Sequence, residues 1–92
     1  NEALQVSPQN LIKEFDQAIK AVDESLELDF EQKKQILEIM QDAKIGTIEN
    51  SIEKNEKAKK AFNYVKSFLV KTAPTLISVL SNFTQIASYF GL

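Results

Sequence analysis

From Pro8 onward, apolar and polar side chains alternate at a period close to that of an α-helix. Leu11, Ile12, Phe15, Ala18, Ile19 and Val22 fall on one side, and Lys13, Glu14, Asp16, Gln17, Lys20 and Asp23 on the other. Such a stripe predicts an amphipathic helix over residues 8–24. Ser7 reads as its N-cap, with Pro8 at the first helical position, where a missing N–H costs nothing.

Ser25 to Asp29 breaks the pattern. Asp29 with Gln32 three residues on has the form of a capping box, and Glu31 adds favourable negative charge to the first turn. A second helix over 30–45 follows, with Phe30, Ile36, Leu37, Met40 and Ala43 apolar and Gly46 as its stop. Alternatively, Ile45, Ile48 and Ile52 carry a helical stripe straight through, at about 1 kcal/mol for the glycine. The sequence favours the break, since Asn50 with Glu53 offers a fresh cap for a third helix over 51–72. Short connections between these segments predict antiparallel neighbours.

In the third segment Ala58, Ala61, Phe62, Val65, Phe68 and Leu69 are the apolar positions. Pro74 ends or kinks it, because the residue before proline avoids the helical region. Thr72 or Ala73 then caps a fourth helix over 74–90, whose stripe is Leu76, Ile77, Leu80, Phe83, Ile86, Ala87 and Phe90. Gly91 suits a left-handed C-terminal cap, with Leu92 folding back in apolar contact. The expected fold is all-α, a compact up-and-down bundle of four helices within one domain, residues 1–92, or of three with the last kinked at Pro74.

Charge changes this picture. All thirteen acidic residues lie at or before Glu56, so residues 1–56, with six Lys, carry a formal −7. Residues 57–92 carry five Lys and no acid, a formal +5, and nothing after Lys71 is charged. An uncharged terminal helix is expected to be covered, either as the central helix of the bundle or by a partner. Its eleven apolar residues among 21, counted from Thr72, fall short of the ~20 predominantly apolar residues a bilayer span needs.

Composition removes several classes of chemistry. The chain has no His, Cys, Trp or Arg. Thiol nucleophiles, the usual zinc sites and near-neutral proton shuttles are therefore not available. Every base is Lys, so the planar fork that grips phosphate or guanine is missing, and a net charge of −2 opposes general nucleic-acid affinity. The sequence accordingly predicts no enzyme, no cofactor, no metal and no nucleic-acid partner. The chain begins at Asn1 rather than Met, which reads as a processed product or a segment of something longer. Nothing in it assigns a compartment.

Candidate chemistry is thin. Asp23, Glu24, Glu27, Asp29 and Glu31 are the densest acids, but Leu28 and Phe30 interleave and no glycine is present, unlike a calcium loop. Glu49, Glu53 and Glu56 share a helical face. Lys57 and Lys60 stand four residues after two of them, the order that favours exposed ion pairs. Asn82-Phe83-Thr84 fits a glycosylation acceptor pattern, but Phe83 belongs to the apolar stripe.

Two surfaces carry the functional expectation. The first is the uncharged face of the last helix, with Ser78, Ser81, Gln85 and Ser88 opposite the apolar stripe and Phe68, Tyr89 and Phe90 beside it. It suits contact with another protein or a second copy, since interface cores are poor in charge. The second is the basic, aromatic run of Lys57, Lys59, Lys60, Lys66 and Lys71 with Phe62, Tyr64 and Phe68, a candidate for anionic membrane surfaces. The sequence favours a different role for these lysines, as an intramolecular match for acidic helices one and two. The leading expectation is a non-catalytic interaction or self-association module. The alternative is a membrane-active helical effector that docks by helix three and inserts helix four.

Overall fold

The computed structural model describes residues 8–92, and the expected Ser7 cap lies outside them. The described chain is all-helical: α1 Pro8–Glu24, α2 Phe30–Ile48, α3 Ile52–Thr72, α4 Pro74–Asn82 and α5 Thr84–Phe90. It forms an elongated bundle of 40 × 24 × 20 Å.

Four corners make the bundle. α2 packs between α1 and α3, and α4 with α5 closes the opposite side, touching both α1 and α3. α1 runs antiparallel to α2 and to the α4–α5 corner, as the cross-links show. Lys33 and Lys44 of α2 reach Asp23 and Asp16 of α1 in reverse order. Glu27 and Glu14 likewise meet residues 75 and 85. The core is the shared interior, where Phe15, Val22, Ile36, Met40, Phe62, Leu69, Leu80 and Ile86 are fully enclosed.

Local chemistry sets the first three helices. α1 buries Leu11, Phe15, Ala18 and Val22, the i, i+4, i+7, i+11 positions of one stripe. The Asp29 carboxylate accepts from the Gln32 N–H at 2.8 Å, and the Gln32 carbonyl oxygen accepts from the Asp29 N–H at 3.0 Å, so the predicted box forms. Leu28 is buried and pins the connection onto the core.

The end of α2 differs from the expectation. The helix runs through Gly46 to Ile48, three residues past the predicted stop at Ile45. Asn50, not glycine, takes the left-handed conformation at φ 53°. Its N–H bonds to the Thr47 carbonyl and the Ser51 N–H to the Gly46 carbonyl, a double closure of the last turn. Gly46 serves proximity instead. A Cβ there would lie 2.9 Å from Asn55 Oδ1 and 3.2 Å from the Asn55 nitrogen, so its bare face lets α3 start against α2. Ser51, rather than Asn50, caps α3 by accepting from the Lys54 N–H at 3.1 Å.

The fourth corner is two helices, not one. Ala73, at φ −137° and ψ 59°, separates α3 from α4, which excludes a continuous kinked helix through Pro74. A second break at Phe83, with ψ 103°, divides the expected 74–90 helix. Neither Ala73 nor Phe83 has a side-chain acceptor, and neither cap is local. Glu27 accepts from the N–H groups of Thr75 at 3.2 Å and Leu76 at 3.0 Å. Glu14 accepts from those of Gln85 at 2.9 Å and Ile86 at 3.0 Å. In both helices these are the second and third positions, the donors an N-cap side chain ordinarily satisfies. The acidic half of the chain thus caps the uncharged half.

The far end of α5 is closed in the same borrowed manner. Lys66 Nζ donates to the Gly91 carbonyl at 2.9 Å, and Gly91 is left-handed at φ 71°. Leu92 is half-buried against the core, as expected.

Candidate interaction surface

Ser78, Ser81 and Ser88 are exposed, together with Thr75, Val79, Asn82 and Thr84. The expectation that burial within the bundle removes charge from this helix is corrected: α4 and α5 form one open corner. Ser81 Oγ donates to the Ile77 carbonyl at 2.8 Å, one turn back, while its surroundings stay open. What this segment lacks in charge at its helix ends is supplied by Glu14, Glu27 and Lys66.

The remaining members of the predicted surface separate. Phe90 is buried and does not contribute an outer contact. Its ring stacks on Phe62 at 4.3 Å between centroids and meets Phe15 edge-on at 6.1 Å, joining α3 to α1. Tyr89 is half-buried, edge-on to Phe15 at 5.2 Å, and its hydroxyl donates to Asn55 Oδ1 at 2.5 Å. Burial, aided by the Glu56 charge, pushes the Tyr89 phenol up to about 12. Asn55 in turn donates to the Gly46 carbonyl at 3.2 Å, so one polar chain ties α5, α3 and α2 together. Gln85 is half-buried, and its Oε1 is enclosed with no donor among the described residues.

Phe68 is 43% exposed but does not adjoin this face. Asn55, Lys59 and Lys66 define the side of α3 that reaches α5. Phe68 stands two residues after Lys66, about 200° around the helix, so it lies on the opposite flank.

The five lysines divide in two groups. Lys59 is half-buried, with its amine 4.8 Å from the Tyr89 ring centroid, and Lys66 holds the Gly91 carbonyl. Lys57, Lys60 and Lys71 are exposed. None of the five makes an ion pair among the described residues, and the α3 backbone packs closely on α2 but not on α1. The intramolecular charge match expected for this helix is thus partial: α3 lies on acidic α2, where Lys57 lines a cleft with Asp42, but these five lysines close no ion pair.

Sequence reasoning missed a groove of about 520 Å³ between the end of α1 and the start of α4. Ala21, Leu26, Leu76 and Val79 supply its apolar walls, with Glu24 and Glu27 beside them. Leu26 is 99% exposed at the tip of the α1–α2 connection. Its position outside every helical stripe was the available signal. Tyr64, which the sequence places in the basic run of α3, is 85% exposed.

The carboxylates offer little else. Glu49 pairs with Lys54 at 2.5 Å and holds that amine above its usual range. The predicted Glu53–Lys57 and Glu56–Lys60 pairs are not closed. No group of three or more acidic side chains suited to a metal ion occurs among the described residues. No described helix is long and apolar enough to cross a membrane. No family model, curated protein or solved structure matches this chain.

Proposed function

We propose that the chain is a non-catalytic helical interaction module whose contact surface is the uncharged outer face of α4 and α5. The observation that carries this is the exposure of Ser78, Ser81 and Ser88 beside Thr75, Val79 and Thr84, an acid- and lysine-free strip on a domain otherwise dense in charge. Burying such a strip against another protein desolvates no charged side chain of its own, with Glu24 and Glu27 bordering it only at Thr75 and Val79, and its hydroxyls can exchange water for a partner's hydrogen bonds. The partner is another protein or a second copy. The residue inventory fits a non-catalytic role, since it offers only carboxylates, amines, hydroxyls and amides.

The test is substitution of the strip. Ser81→Lys and Ser88→Lys place a cation at exposed sites, so helicity by circular dichroism stays unchanged while association, read by light scattering or by partner retention, is lost. Undiminished association in both variants rejects the surface.

A second role, docking on an anionic membrane, draws support from exposed Lys57, Lys60 and Lys71 with Tyr64 on α3. Insertion of α4 and α5 would require release of both borrowed caps. Failure to co-sediment with phosphatidylserine vesicles at low salt eliminates that role.

A further inference from the structure

The outer face of α3 carries an ordered stripe. Lys57, Lys60, Tyr64, Ser67 and Lys71 follow at intervals of three and four residues, and all are exposed. That spacing keeps them on one side of a helix, with Lys60 to Lys71 spanning about 16 Å. No acid occurs in α3 after Glu56. Lys57 shares a cleft with Asp42 of α2, which leaves Lys60 and Lys71 as the freer cations of the stripe. Tyr64 projects between them. A ring this exposed contributes nothing to the bundle core and offers a large apolar body with a polar tip.

The groove between α1 and α4 has the complementary character. Its walls are apolar, and the charged residues lining it, Glu24 and Glu27, are both acidic. Glu27 directs its carboxylate at the α4 amides, so Glu24 is the freer anion. Groove and stripe sit on different corners of the bundle, so one copy can use both at once.

The geometry points to head-to-tail self-association, in which Tyr64 of one copy enters the groove lined by Ala21, Leu26, Leu76 and Val79 of the next, with Lys60 and Lys71 beside the acidic rim. This deepens the proposed function, since it rests on α4 as a contact surface and names a second copy as the partner. The choice of a second copy follows from charge. The groove bears acid and cannot face itself in a two-fold contact without repulsion, whereas the same chain displays a basic, aromatic stripe of matching kind. A contact between unlike surfaces does not close on itself after two subunits, so chains or rings result.

The experiment is sedimentation velocity across protein concentration at low salt and at about 1 M, where the Debye length falls to about 3 Å. The expected mass grows with concentration at low salt and returns to that of one chain at high salt. Tyr64→Glu removes the stripe and Val79→Lys the groove, each weakening association at least tenfold. Lys60→Glu and Leu26→Lys repeat the two tests at residues that bear no core contact, should either first variant lose helicity. Mixing a stripe variant with a groove variant leaves one working end on each chain, and the expected product is a discrete pair.

A parent chain that stays single at low salt overturns the inference, as does a Tyr64→Glu variant that associates like the parent. If Ser81→Lys and Ser88→Lys abolish association while Tyr64→Glu and Leu26→Lys, neither of them on the uncharged face, do not, the uncharged-face function stands and the head-to-tail inference falls. The reverse pattern keeps the inference and removes the wider face. A single chain that binds anionic vesicles through Tyr64 and Lys60 assigns the stripe to lipid and overturns self-association.

Discussion

Glu14 Oε1 accepts the backbone N–H of Gln85 at 2.9 Å, joining two residues 71 positions apart. The same oxygen takes the Ile86 N–H, so one side chain of α1 starts a helix at the opposite end of the sequence. Replacing Glu14 by Ala should cost about 1 kcal/mol, the usual loss for an N-cap acceptor. Hydrogen exchange at Gln85 and Ile86 should accelerate more than exchange in α2. A global slowing or an unchanged rate at those amides would contradict the borrowed cap.

Glu27 plays the equivalent part for α4, and its ionisation carries a pH signature. Burial raises its pKa, but the N–H groups of Leu76 and Thr75 and the Thr75 hydroxyl outweigh that and leave it below the ordinary carboxylate value. The folded state thus binds this proton less readily than the unfolded chain. Its contribution to stability is present above the unfolded pKa and lost as pH falls through the folded one. Glu27→Gln should therefore flatten the acid limb of a denaturation series. An identical acid limb in parent and variant would show that the carboxylate adds nothing there.

Tyr89 gives the alkaline counterpart. With its phenol raised to about 12, the folded protein keeps the proton that the unfolded chain releases near 10. Stability from this group is complete below the unfolded value and declines as pH climbs from there through the folded one. Ultraviolet titration should show one tyrosine ionising near 12, and Tyr89→Phe should remove that transition together with the Asn55 bond.

At Gly46 two effects oppose each other. Alanine gains about 1 kcal/mol of helix propensity over glycine. Yet its Cβ would press on Asn55 Oδ1 at 2.9 Å and on the Asn55 nitrogen and Lys54 Cβ at 3.2 Å. The nitrogen is backbone and cannot swing aside, so the start of α3 must shift. Gly46→Ala is expected to destabilise by about 1–3 kcal/mol, the range for overpacking, when measured by urea denaturation. A gain in stability would mean that the helix pair separates freely.

Phe90 bridges α1 and α3 through its ring contacts. Phe90→Ala empties the space between Phe15 of α1 and Phe62 of α3, helices whose backbones do not come close. Such truncations cost about 3–5 kcal/mol, a large share of the 5–15 kcal/mol that a domain possesses. The midpoint of thermal unfolding should drop sharply, with loss of the aromatic near-ultraviolet signal.

The helices with local caps and a clean stripe were legible from sequence. Pro8, the Asp29–Gln32 box and Pro74 each mark a boundary through their own chemistry. The Phe83 break was not legible, because neither glycine nor proline marks it and its capping group is Glu14. Gly46 was misread because a glycine near a helix end signals both a stop and a close approach, and only the position of Asn55 decides between them. Leu92 folding onto the core was readable from Gly91, and the outward placement of Ser78, Ser81 and Ser88 from their position opposite the apolar stripe, whereas the half-burial of Gln85 was not. Lack of charge tells what a helix leaves out and says nothing of which neighbours complete it.

The reach of Glu14, Glu27 and Lys66 has a consequence for anyone who would move this segment elsewhere. Residues 74–90 are not a portable cassette. Grafted onto another scaffold without an acceptor at each start and a donor at the finish, they would carry their sequence across but leave their folding instructions behind.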